Sequence, residues 1–458
     1  MKKKQIENFS NWDKHVSTYT YYENNPYSIC EQNIHLDNSF IYRVRNSYVK
    51  TNANLAGQDD EFSILLLAWE YPPHLIGGLA KHVYGLAHGL QRQGCRVYVI
   101  TANPGDLEVF EEDESIQVYR VESVHAEAKD FLVWINGLNM AMIQKAIELS
   151  YQYDFKVIHA HDWLVGDSAV ILKSILSIPL ISTIHATEFG RNNGIHTELQ
   201  KHIHEKEHQL ISNSDQIIIC SRSMKEELMN VFTIKGTQLS IIPNGIEKVQ
   251  IAKHCKALSN MPLQPNRQFI LSIGRIVKEK GFDTLIEAAI RMRDTYPEVY
   301  FIIAGKGPML DEYKKQVELL NLTDYVFFVG FITEEVKNNL LDACTMAVFP
   351  SKYEPFGIVA LEAMRAGIPT IVSKVGGLTE IISHLNTGLF MLPGDAGSFI
   401  EQASFLFENE QDAKRIAQNG KSYVEKNFSW DTIALKTIKV MESIINHQKK
   451  LDHQSMLR

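Results

Sequence analysis

The chain has 458 residues, 45% hydrophobic and 22% charged, which is the usage of a globular protein and not of a disordered, fibrous or membrane chain. Its 46 Lys and Arg against 54 Asp and Glu give a formal net charge of −8, so no global positive field favours nucleic acid or an anionic membrane. No apolar run approaches the roughly 18–20 residues that span a bilayer, and single cores stop growing near roughly 250–300 residues, so this length predicts two domains.

Residues 1–61 are rich in Asn, Tyr and charge without sustained periodicity and read as a partly ordered N-terminal extension. Lys2, Lys3 and Lys4 are followed by a polar stretch where an export signal needs an apolar one. The five cysteines are odd in number and lack a CxxC, as suits reduced thiols, and the expected location is cytoplasmic.

At Phe62 the texture changes. A continuous apolar run over 62–68 has strand length, 79–93 has helical spacing closed by Gly94, and 96–101 is again strand-like. That is a βαβ unit, which predicts a parallel sheet covered by helices. Strands near 156–160, 180–185, 216–220 and 239–242 continue it, making 62–245 an N-terminal Rossmann-like domain. Residues 246–267, with Pro262 and Pro265, read as a linker. The pattern restarts over 268–428, with strands near 269–273, 300–304, 325–329, 346–349 and 370–373 and helices such as 282–293 and 358–365. The last helical pattern, within 429–458, is expected to pack back on the first domain. Two doubly wound domains would place the carboxyl ends of their strands, where such sheets bind ligands, on either side of a cleft.

Four segments carry candidate chemistry. Gly77-Gly78 follows the first strand and opens a helix, so its backbone amides suit a phosphate or a sugar hydroxyl, or simply make a tight turn. The spacing is not GxGxxG, which argues against a dinucleotide redox site. Gly274-Arg275 and Lys280 flank the corresponding turn of the second domain, where two cations can clamp a diphosphate or stand solvated. Glu354 and Glu362 lie eight positions apart, roughly 12 Å if helical. That exceeds the roughly 5–9.5 Å of a glycosidase pair but could reach two ends of a sugar nucleotide. Asp162, in His159-Ala-His161-Asp162-Trp163, and His185 stand at neighbouring strand ends, where polar groups can hold sugar hydroxyls. A competing motif, His204-Glu205-Lys206-Glu207-His208, matches the H-E-x-x-H zinc signature. Its histidines point away from the Leu199/Ile203/Leu210 stripe, toward solvent, and a zinc hydrolase is the remote alternative.

Taken together, the Gly-Gly turn, HAHDW, the strand-end His185, the Arg275/Lys280 pair and the E-x7-E element resemble, in order and spacing over about residues 62–445, the retaining GT-B glycosyltransferases of family four (glycosyl transferases group 1). Glu70-Tyr-Pro-Pro, His161-Asp162-Trp163, Ile184-His185-Ala186-Thr187 and Glu354-Pro-Phe-Gly357 look most like the archaeal-type glycogen or starch synthase branch. The resemblance implies that Arg275 and Lys280 hold the donor diphosphate and stabilise charge as it leaves. It further implies that Glu354 contacts donor-sugar hydroxyls and that Glu362 binds the nucleotide ribose. The backbone of Phe356, Gly357, Ile358 and Val359 would lie beside sugar and phosphates, with Gly274 in the clamp loop. His185 and Asp162 would shape the sugar site, and Gly77-Gly78 would face the distal phosphate. The implied reaction is retaining transfer of a hexose, glucose foremost, from a UDP- or ADP-sugar to an oligosaccharide or polysaccharide such as an α-glucan. It uses no cofactor and no metal. A family-four transferase adding another hexose to a cell-surface or spore polysaccharide is the alternative. Glycogen synthases usually carry Lys-x-Gly-Gly in the first turn, and Leu75 occupies that lysine position here, with Lys81 just beyond the turn.

Overall fold

The computed structural model describes residues 62–75, 77–234, 236–247, 258, 261–264 and 267–456. The expected extension over 1–61 and most of the expected linker over 246–267 lie outside the described residues. The chain forms two compact units. One takes residues up to Cys220, Met224–Gly245 and everything from Trp430; the other takes Ser221–Ser223 and Ile246–Ser429.

The first unit runs β1 (Ser63–Leu67), α1 (Gly78–Arg92), β2 (Arg96–Ala102), β3 (Phe110–Asp113), β4 (Ile116–Val121), α2 (Phe131–Ser150), β5 (Val157–His161), α3 (Gly166–Leu176), β6 (Leu180–Ile184), α4 (Glu188–Asn192), α5 (Glu198–Asn213), β7 (Gln216–Ile219), α6 (Arg222–Val231) and β8 (Leu239–Ile241). Its sheet has the order β3-β4-β2-β1-β5-β6-β7-β8. Every pairing is parallel except β3 with β4. Ile64, Leu65, Leu66 and Leu67 are fully buried, because helices on both faces of a parallel sheet demand continuous apolar strands. Helix α1 seats Leu79, Val83, Leu86 and Leu90 on one face, spacings of three and four that a 3.6-residue period aligns. It stops at Gly94, which takes a positive φ while the Cys95 amide donates back to the Leu90 carbonyl. Helix α5 opens on a capping box between Thr197 and Gln200.

The second unit runs β9 (Gln268–Ile273), α7 (Phe282–Thr295), β10 (Val299–Ala304), α8 (Leu310–Leu319), β11 (Val326–Gly330), α9 (Glu334–Ala343), β12 (Met346–Phe349), α10 (Ile358–Ala366), β13 (Thr370–Ser373), α11 (Leu378–Ile381), β14 (Leu389–Met391), α12 (Ala396–Glu408) and α13 (Glu410–Asn427). Its sheet is wholly parallel, in the order β11-β10-β9-β12-β13-β14. The closing helix α14 (Trp430–Met456) belongs to the first unit. Trp430 lies over Gly85 and Gly245, where any Cβ would collide with its indole, and Gly89 faces its backbone.

This is the two-domain, doubly wound α/β architecture of the GT-B class. Three strands escape the sequence pattern: β3 and β4, between the expected strands at 96–101 and 156–160, and β14. Cys95, Cys220 and Cys344 are buried. Among the described residues no helix is long and apolar enough to cross a membrane.

Candidate active site

In a doubly wound sheet, adjacent strands whose connections leave in opposite directions open a crevice at their carboxyl ends. In the first unit that switch point lies between β1 and β5, and in the second between β9 and β12. Gly77-Gly78 follow β1 and Asp162 follows β5, whereas Gly274, Arg275 and Lys280 follow β9 and Glu354 follows β12. Thus most of each unit's sequence candidates sit where its own topology makes a crevice; His185 follows the next strand, β6, and Glu362 lies within α10.

In the first unit, the Gly77 amide donates to buried Glu70 Oε2 at 3.0 Å, which turns the chain into α1. Gly77 brings no capping side chain to the start of α1. Asp162 adopts φ 61 and ψ 172, a region almost reserved for glycine. It is held there from both sides: its amide donates to the Thr183 carbonyl at 3.0 Å, and its Oδ1 accepts the His185 amide at 2.7 Å. Burial pushes the Asp162 carboxyl up to about 6, against the pull of Arg191 and the His185 amide. His185 is pushed down to about 3 by burial, with Arg191 adding to the effect. Its ring Nε2 lies 3.2 Å from His161 Nδ1. His82, one turn into α1, packs edge-on against His185 with centroids 4.6 Å apart, and its Nδ1 contacts Asn244 Oδ1 at 2.7 Å. His159 Nε2 contacts Thr183 Oγ1 at 2.7 Å. The result is a cluster of uncharged imidazoles, suited to hydroxyl groups rather than phosphate.

The second unit's candidates are charged. Lys280 Nζ donates to Glu354 Oε2 at 2.6 Å, and Ser351 Oγ donates to the same oxygen at 3.1 Å. The two loops meet because Gly281 sits at φ +69 against the Pro350 carbonyl, where a Cβ would collide. The amides of Lys352 and Tyr353 also donate to the Glu279 carbonyl, at 2.7 and 3.2 Å. Arg275, in the same turn, keeps its guanidinium 3.5 Å from Glu279 Oε1 and 36% exposed. Glu354 precedes α10, whose N-cap is Gly357 at φ 102, with Ile358 and Val359 in the first turn and Phe356 buried beside Phe428. Gly377 donates to the Glu354 carbonyl at 2.9 Å, and a Cβ on Gly376 or Gly377 would strike the backbone of Glu354 or Pro355. Glu362 stands apart from the Lys280/Glu354 pair: it is buried on α10 and takes a hydrogen bond from Lys337 Nζ at 2.7 Å. Lys337 also meets Glu334 at 2.6 Å.

The Glycosyltransferase Family 4 model matches residues 76–249 and the Glycosyl transferases group 1 model residues 259–423. An uncharacterized glycosyltransferase of Methanocaldococcus jannaschii, MJ1607, is 35% identical over 390 residues, 82% of this chain and 97% of that one. This chain belongs to the group 1 glycosyltransferases. The glycogen synthase of Mycobacterium tuberculosis is 33% identical over 394 residues, 82% of this chain and 94% of the relative. Among solved structures, Anabaena HepE in complex with UDP and glucose matches with a TM-score of 0.69 and 21% identity, over 84% of this chain and all of that one.

In this glycosyltransferase the H-E-x-x-H segment makes no converging ligand set among the described residues. Glu205 and His208 are exposed, and the rings of His204 and His208 stack on Phe232. The segment is not merely a solvated face, however. Lys206 and Glu207 are buried, Lys206 pairing with Asp167 at 2.8 Å and Glu207 accepting the Glu188 amide at 2.8 Å. Sequence reasoning passed over His82, Lys337 and Gly376-Gly377 of the glycosyltransferase. A histidine inside an apolar helix and a lysine 25 positions from its glutamate carry no local signature. Gly376-Gly377 does carry one, a Gly-Gly pair between a strand and a helix.

Proposed function

We propose that this glycosyltransferase moves a glucosyl group from a nucleotide-diphospho-glucose to an α-glucan with retention of configuration and without a catalytic metal. The observation that carries the reading is the Lys280–Glu354 pair at the carboxyl ends of β9 and β12, with Arg275 in the same turn. Two fixed cations suit a diphosphate leaving group, and a carboxylate beside them suits sugar hydroxyls. Charge that a divalent ion supplies elsewhere is here supplied by Arg275 and Lys280. The bond from the anomeric carbon to the phosphate oxygen breaks while the acceptor oxygen approaches on the same face. The departing phosphate oxygen is then the nearest base for the acceptor's proton. His185 and Asp162 would order the sugar, Glu362 the ribose, and the backbone of Gly274 and 356–359 the phosphates. HepE is solved with UDP and glucose, and a 33% identical relative is a glycogen synthase; both favour a glucose donor. Leu75 favours a second reading. Without the lysine usual in glycogen synthases, the same machinery would add another hexose to a cell-surface or spore polysaccharide.

Release of nucleoside diphosphate from UDP-glucose, ADP-glucose, GDP-mannose and UDP-N-acetylglucosamine, with and without glycogen and in EDTA, tests both readings. Glycogen-dependent release from a glucose donor is the expected result. Glycogen-independent release from another donor would sink the glucan reading and favour the second.

A further inference from the structure

His82 on α1, His161 at the end of β5 and His185 just past β6 each offer one ligand atom, and these three atoms lie within 4.8 Å of one another. Two of the facing nitrogens, His161 Nδ1 and His185 Nε2, are hydrogen-bonded to each other at 3.2 Å, one ring donating its N–H to the other, a proton that a bound ion would replace by a change of tautomer. A tetrahedral ion with metal–nitrogen bonds of 2.0–2.1 Å needs its ligand nitrogens roughly 3.4 Å apart, so this pair already has the spacing of two ligands. His82 directs Nδ1–H at Asn244 Oδ1, 2.7 Å away, which leaves Nε2 as a lone pair. That Nε2 is buried and has no hydrogen-bond partner in the protein. A carbonyl oxygen behind a histidine, fixing tautomer and ring plane, is how protein metal sites orient their ligands. His82 and His161 are sealed, whereas His185 is half-buried.

We propose that His82, His161 and His185 form a binding site for one borderline-soft divalent cation of the zinc class, and that the bound ion withholds His185 from the donor sugar. Three nitrogen donors without an oxygen select zinc over magnesium or calcium. The site regulates and takes no part in bond breaking. Its competition with donor rests on the function proposed above, whereas its existence does not.

The full chain, stripped with EDTA and desalted, is dialysed against zinc chloride, with magnesium chloride in parallel and cobalt chloride as a spectroscopic stand-in. One zinc per chain and tetrahedral cobalt absorption bands are expected, with no uptake of magnesium. Zinc affinity should fall by about tenfold or more in His82→Gln and His161→Gln, and by roughly 10–100-fold in Asn244→Ala. The double variant His204→Gln/His208→Gln should bind zinc as the parent does. Circular dichroism verifies that each variant folds, and Asn244→Ala decides the matter if a histidine variant does not. No zinc uptake, uptake unchanged in these variants, or uptake lost in the His204/His208 variant would overturn the site. With the donor identified, zinc should raise its KM and leave kcat unchanged. Stoichiometric zinc with an unaltered KM overturns the competition alone. Silence with every sugar donor counts against the proposed function and leaves the zinc measurement standing.

Discussion

The ammonium of Lys280 lies 2.6 Å from Glu354 Oε2, although the two side chains come from loops 74 positions apart on either side of the β9/β12 switch point. The pair is partly solvated, with side chains 27% and 14% exposed, so its value is in geometry more than in stability.

Lys280→Ala should therefore lower donor turnover by about 100-fold or more, as loss of a preorganised charge at a leaving group does. The melting temperature should move by only a few degrees. Nucleoside diphosphate release and a thermal scan on the same preparation check this. A turnover loss matched by unfolding would make Lys280 structural.

Lys337 and Glu362 behave differently because both are buried. Lys337→Met deprives a buried carboxylate of that cation and should destabilise by about 3–5 kcal/mol. Lys337→Met combined with Glu362→Gln should regain much of the loss. Urea unfolding of the parent, both single variants and the double variant gives the coupling, and additive losses would disprove it.

Glu207 makes stability depend on pH. Burial pushes its carboxyl up from 4.5 to about 8, outweighing the Glu188 amide and Arg191. The folded chain thus keeps a proton that the unfolded chain sheds, so this group's contribution is fully present below about pH 4.5 and is lost as pH rises toward about 8. Glu207→Gln keeps an amide oxygen for Glu188 and removes the titration. The variant should match the parent near pH 4 and exceed it above about pH 8 by on the order of a few kcal/mol. Urea midpoints across that range read the difference, and parallel pH profiles would refute it.

Gly281→Ala tests the approach of the two loops. A side chain there must hold φ +69 and strikes the Pro350 carbonyl. A cost of about 1–3 kcal/mol is expected, together with a turnover loss like that of Lys280→Ala. Gly105→Ala, also at positive φ but with open space around it, should lose stability and keep turnover.

The parallel core was legible in the sequence because strands such as Ile64–Leu67 are buried on both faces, and that condition writes itself as an unbroken apolar run. The strand Phe110–Asp113 was not, since three of its four residues are acidic, it is largely exposed, and its sheet pairing is to β4 alone, antiparallel. Residues following a strand and opening a helix, such as Gly77-Gly78 and Gly274-Arg275, could be placed by counting. The backbone strain at Asp162 and the Lys337–Glu362 contact could not, because each exists only once distant segments have folded together.

Trp430 fills a notch framed by Gly85, Gly89 and Gly245, so the first unit is completed by the last helix of the chain. During synthesis, nearly the whole of the second unit leaves the ribosome before that helix does. The N-terminal sheet must wait with an uncovered seam along α1, and maturation of the first unit is timed by residues translated after the second.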